Sequence, residues 1–389
     1  MPPRILFPLI VLATCAGFLC ADEAEDKAAL AIEKHGGKFT RDAKANGNPV
    51  VRASLVYGRV TDAQLQFLRD LGKLEELDLF GVKLSDAGLK HLHGLKHLHT
   101  LNLGFATEIT DDGLKELRGL TKLHTLTLSS TKLTGVGLDG LASLRSLDLE
   151  NVKLTDAGAK ALGQLKLLQS LNLTNTPCTD VHVKELRALT SLKSIDLSDT
   201  KLSDTGVKEL RDIKSLEELL LFNTRVGVVG AMELAALANL RKLSLQQTDI
   251  TDAGLVGIRD LTMLRELNLS ATKISDLSLK ELGKLENLQT LDLTGAKITD
   301  LGLKELRVLS KLQTLHLGYT QITDKGLKEL RDLKDLHVLN LAGTTISDSG
   351  LRELHDLKVL TTLDLNGVKV TDAGLKALRV VLPKVAILR

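Results

Sequence analysis

Thr299-Asp300 typifies a pair, hydroxyl then carboxylate, that recurs along this chain. Carboxylates set at fixed spacing could serve as general acid and base. Their regularity argues against it: the position recurs once in each of fourteen repeats, with Thr or Ser first in thirteen and Asp second in twelve. Both residue types cap helix starts, and a carboxylate there favours the positive end of the helix dipole. His91, His93, His97, His99 and His124 lie close in sequence. Stacked imidazoles can bind zinc, but no Cys or carboxylate completes a set, so no metal or cofactor is expected. Cys178 stands where other repeats place Ile, Leu or Val and reads as a small buried hydrophobe. Asn172-Leu-Thr174 and Asn268-Leu-Ser270 match the glycosylation sequon, but the repeat frame itself generates them. Without a phosphate loop, a G-x-S-x-G elbow or an H-E-x-x-H motif, an enzyme is not expected.

These residues hang on a 24-residue frame, L-x-x-L-x-L-x-x-T-x-I-T-D-x-G-L-K-E-L-x-x-L-x-x. First positions fall at Val50, Leu74, Leu98, Leu123, Leu144, Leu168, Leu192, Leu216, Leu240, Leu264, Leu288, Leu312, Leu336 and Leu360. A period of this length predicts a solenoid with one continuous core. In the eleventh copy, Leu288, Leu291 and Leu293 suit a short strand, and Leu303, Leu306 and Leu309 suit one face of a helical turn. Gly follows the Thr-Asp pair in eleven repeats, the exceptions being Gln64, His182 and Ser278. Side chains at three of these positions point to close approach of neighbouring turns rather than to a need for positive φ. The third repeat carries one extra residue, the fourth is trimmed to 21, and the fourth and eighth lack the Asp.

The remaining organisation is predicted as follows. Residues 1–21 read as a secretory signal: Arg4, an apolar run from Ile5 to Leu19, then Leu19-Cys20-Ala21 before acidic Asp22 and Glu23. Residues 22–49 read as an N-terminal cap, with a helix ending at Gly36-Gly37 and a turn at Asn46-Gly47. Fourteen repeats occupy residues 50–384, and residues 385–389 form a terminal strand through which a homodimer is conceivable. Without residues 1–21 the chain has 50 basic and 49 acidic side chains. That balance gives no sign of the one-sided basic excess of a nucleic-acid binder. Nor is there the basic amphipathic helix of a membrane-surface protein. Neither nucleic acid nor membrane insertion after signal cleavage is expected.

The L-x-x-L-x-L core resembles the leucine-rich repeat family from Val50 to Arg389. The T-D-x-G-L segment is similar to the cysteine-containing subclass found in F-box substrate receptors, and to secreted bacterial proteins with 24-residue T-D-x-G-L units. The bacterial group fits better: eight repeats carry Thr, such as Thr248 and Thr272, where the subclass has Cys. The resemblance implies an α/β solenoid, or horseshoe, with a parallel sheet on its concave face, short helices on its convex face, and protein recognition on the concave side.

Within that frame, five of the seven aromatics beyond the signal fall one or two residues past the third strand anchor: Tyr57, Phe80, Phe105, Phe222 and Tyr319. Tyr57, Phe80 and Phe105 belong to successive repeats and could form one patch, with Leu220 and Phe222 forming another. The residue before that anchor makes a polar ladder from Asp78 to Asp364. The expected function is that of an exported, non-enzymatic protein, periplasmic, cell-envelope or extracellular, that recognises another protein through these residues. Alternatives are a self-assembling envelope protein and an F-box-receptor-like adaptor of a ubiquitin ligase.

Overall fold

The computed structural model describes residues 23–389, so the expected signal, residues 1–21, lies outside the described residues. Helix α1, Glu23–Lys34, precedes strand β1, Lys38–Arg41, which pairs antiparallel with β2, Val50–Ser54. From β2 onward the chain adds one parallel strand per repeat, giving a single sheet of 16 strands in chain order. Register follows the repeat: Thr290 faces Thr314, 24 residues on. The longer third repeat pairs Thr100 with Thr125, and the trimmed fourth pairs Thr125 with Ser146.

After β2, each strand inside the repeats is only three residues long, and its middle residue, such as Leu291, is buried while its neighbours face outward. The other leucines of the frame enter the same continuous core. Full burial of one such side chain stabilises by about 1.5–3 kcal/mol before entropy. The sheet lies on the concave side because strands stack about 4.8 Å apart while the helical segments behind them are wider.

Polar side chains join one turn to the next. The eight Thr residues that stand in place of Cys, Thr248 among them, are buried and donate their hydroxyls to the carbonyl three residues back, at 2.5 to 2.8 Å. Thr and Ser of the Thr-Asp pair cap their own helices, as Thr299 does for the N–H of Leu301. Asp has a different role from the expected cap. Asp300 accepts the backbone N–H (2.8 Å) and hydroxyl (2.6 Å) of Thr323 in the following repeat, and the same pairing recurs along the solenoid.

This staple explains the glycine. A Cβ on Gly302 would stand 2.4 Å from Asp276 Oδ1, and one on Gly326 equally close to Asp300. At most of these positions φ is ordinary; Gly137, in the trimmed repeat, is the one with positive φ, at 92°. His182 replaces the glycine by joining the network: its Nδ1 accepts the N–H of Thr179, and its Nε2 lies 2.8 Å from Asp156. Ser278 fits beside an intact Asp252–Ser275 pair. In the eighth repeat Gly227 still gives its N–H to Asp204, at 2.6 Å, and a helix follows at Val228–Glu233. Asp372 instead meets Arg389 Nη1, at 2.6 Å.

Candidate functional site

Past the third strand anchor every repeat turns through one residue with positive φ. Four of these fourteen corners are Gly and four are Asn or Asp, the types that take this conformation at least cost. Three are aromatic: Tyr57 (φ 52°), Phe105 (φ 60°) and Tyr319 (φ 57°). A bulky side chain there is a steric outlier. All three are well exposed, at 68%, 50% and 69%.

The structure brings the first predicted group together. The Tyr57 and Phe80 rings meet edge to face at 5.4 Å, and Phe80 meets Phe105 at 5.0 Å. Such contacts fix ring orientation and add to the area they bury. Tyr57 also lies over the next corner, where a Cβ on Gly81 would stand 2.4 Å from its ring; Tyr319 lies likewise over Gly343, at 2.5 Å. The rings therefore clamp the following turn with one face and present the other to solvent. Phe222 is half-buried beyond its strand end, and Leu220 ends the strand Glu218–Leu220 on the concave floor. Tyr319 lies nine repeats past Phe105 and forms no ring pair among the described residues.

The polar ladder proves to be largely structural. Asp78, Asn102, Asp148, Asn172, Asp196 and several later members use Oδ1 to accept the N–H two residues on, holding the corner in shape. Leu220 cannot make that bond, so it places an apolar side chain in the row.

Two depressions mark the concave face. One of about 420 Å³ lies between the β1–β2 hairpin and the first repeats; Phe39, Arg52, Glu76, Asp78, Thr100 and Asn102 line it. Arg52 and Glu76 are joined at 3.0 Å, and Arg41 stacks over Phe39 at 5.5 Å. The other, about 290 Å³, runs from Leu220 past Lys242 and Glu266 to His316. Lys242 reaches Glu218 at 2.9 Å, and that hydrogen bond first, with burial opposing it, holds the ammonium above its ordinary range. Sequence reasoning missed Phe39 and the Glu218–Lys242–Glu266 row as site residues because neither lies past a third strand anchor; the row occupies strand starts. The one available signal for that row was alternation of charge at one frame position, Glu218, Lys242 and Glu266, each 24 residues after the last.

His99 and His124 stack at 5.7 Å on adjacent repeats. Burial first, then Arg145 and His99, pushes the His124 pKa down. His93 stands instead by Glu116, at 3.5 Å, and no three His, Cys, Asp or Glu side chains among the described residues converge as a metal site. Cys178 is buried, and burial followed by the charge of Asp180 pushes its thiol up to about 12.

One expectation needs correcting. Charge is balanced in number but not evenly placed: around the first strand anchor the fourteen repeats carry twelve Lys or Arg against four Asp or Glu. Counting along the chain could not show this, because each repeat contributes to both edges.

Model sequences of the leucine-rich repeat region match residues 232–388, and those of the leucine-rich repeat match residues 94–117, 140–163 and 188–210. The chain is a leucine-rich repeat protein. No curated protein matches its sequence. Among solved structures, this leucine-rich repeat chain is similar to an internalin from Listeria monocytogenes, with 24% identity, TM-score 0.59 and 95% of both chains covered. It is also similar to a leucine-rich repeat protein of Leptospira interrogans, with 28% identity, TM-score 0.60, and 82% of this chain and 91% of that one covered. A chain of the mouse RP105/MD-1 complex shares the fold at 22% identity and TM-score 0.59, with 82% and 54% covered. Leucine-rich repeat proteins in general mediate protein–protein interaction.

Proposed function

We propose that this is an exported, non-enzymatic leucine-rich repeat protein that recognises a protein partner across its concave face, gripping it at the strand-end corners. Its T-D-x-G-L unit places it, on this reading, with secreted bacterial repeat proteins, and residues 22–49 serve as its N-terminal cap. The observation that carries the proposal is the placing of Tyr57, Phe105 and Tyr319 at corners of positive φ while half or more of each side chain stays in solvent. Backbone strain and exposed aromatic area both oppose stability, and strained positions of this kind cluster at functional sites. Exposed aromatics are also the commonest anchors of protein interfaces. Phe80 completes the first cluster beside the larger depression; Leu220 and Phe222 supply a second anchor. Export is supported by the apolar N-terminal segment, and no described helix is long and apolar enough to cross a membrane.

The test is comparative affinity capture from envelope and secreted fractions with the chain from residue 22 onward. A second bait carries Tyr57→Ala, Phe80→Ala and Phe105→Ala and is checked for unchanged circular dichroism. A partner protein retained by the first bait and lost from the second is the expected result. Equal capture of that partner by both would sink the assignment of this face.

A further inference from the structure

We propose that the edge of the sheet at which the strands begin is a second binding surface, fitted to an acidic polysaccharide lying along the solenoid. The parallel topology puts all repeat strand starts on one edge and all strand ends on the other. Around the first strand anchor of each repeat, two positions before it and one after, the fourteen repeats place twelve Lys or Arg against four Asp or Glu. Around the third anchor, one position before and two after, they place seven Asp or Glu and neither Lys nor Arg. The sheet face is therefore basic where its strands begin and acidic at the residues where they end, with cations such as Lys83 and Lys132 following only four residues past the third anchor.

Pairing sharpens the difference. On the helical side, arginines are neutralised within the fold: Arg187 meets Glu209 at 3.1 Å, Arg211 meets Glu233 at 3.2 Å and Arg259 meets Glu281 at 3.3 Å. Among the described residues, only Lys193 and Arg241 of the twelve edge cations have a carboxylate within 4.0 Å, and both share Glu217. Lys122, Arg145, Arg265 and Lys334 have none and are exposed. Twelve cations over fourteen repeats, on turns about 4.8 Å apart, make a positive row along most of a face about 65 Å long. Unscreened charge arranged in this way attracts an extended polyanion.

The chemistry between the cations selects the class. Ser191, Asn239, Asn287, Gln289 and Gln313 interleave with them and can exchange hydrogen bonds with hydroxyls. The same positions hold no Phe, Tyr or Trp. Bases of a single-stranded nucleic acid would have no ring to stack on, and a protein would have no aromatic anchor. A polymer bearing both carboxylate or sulfate groups and hydroxyls matches both features of the edge.

The experiment measures binding of the chain to heparin fragments across a salt series, with single-stranded DNA and polyglutamate of similar charge as rivals. An edge variant carries Lys122→Ser, Arg145→Ser, Arg265→Ser and Lys334→Ser. A control removes the same charge from the helical side with Lys184→Ser, Lys208→Ser, Lys280→Ser and Lys304→Ser. Heparin binding should fade as salt rises, weaken about tenfold or more in the edge variant and stay within about twofold in the control. No heparin binding at low salt, equal loss in both variants, or tighter binding to DNA or polyglutamate would each overturn the proposal. Because Tyr57, Phe80 and Phe105 lie on the opposite edge, their alanine variant should keep its heparin affinity, so this result is independent of the protein-recognition test.

Discussion

At the scale of single residues, one side chain does different things in different surroundings. Asp300 is half-buried and satisfies both the N–H and the hydroxyl of Thr323. Asp372 holds the same place in its repeat, but its side chain is 93% exposed and meets only Arg389. Removing an acceptor that leaves partly buried donors unpaired costs about 1–3 kcal/mol, whereas a surface ion pair is worth about 0–1 kcal/mol. Asp300→Ala should therefore lower the denaturant midpoint clearly and Asp372→Ala barely. Equal effects would mean that the staples between turns contribute little. The sequence pattern located these carboxylates at helix starts; it did not reveal that they serve the next turn. That contact spans 23 residues and depends on how closely the turns stack, which the periodicity alone leaves open.

At the scale of elements, the repeated unit is a three-residue strand, a left-handed corner, a buried turn and a short helical segment. Strand and helix were legible because leucine spacing switches from alternate positions to three-residue steps. The corner was not, because its signal is distributed: Gly in some repeats, Asn or Asp in others, and Tyr or Phe in three. Ala271 shows the cost most simply, with φ 53° at an exposed position. Relief of its Cβ crowding outweighs the added freedom of the unfolded chain, so Ala271→Gly should stabilise by about 0.5–1 kcal/mol. A thermal or denaturant shift in the destabilising direction would show that the corner is not strained. The same reasoning gives the aromatic corners their interest. The Tyr57 and Tyr319 rings recover part of the strain by lying on Gly81 and Gly343 while leaving a face free.

At the scale of the whole molecule, stacking turns one repeat's features into lines. Leucines become a continuous core, Asp residues a row of staples, and scattered cations a basic row where the strands begin. The core was readable from the period, and the grouping of Tyr57, Phe80 and Phe105 from their place in successive repeats. The two depressions were not readable, since each needs side chains from several strands and one needs the β1–β2 hairpin as a wall. The central claim is that the strand-end corners grip a protein partner. Hydroxyl-radical footprinting of the chain with and without its captured partner tests it most directly. Protection of Tyr57, Phe80, Phe105, Phe222 and Tyr319, with Met232 and Val380 unchanged, is the predicted result. Protection confined to Met232, Val380 and the helical side would contradict it.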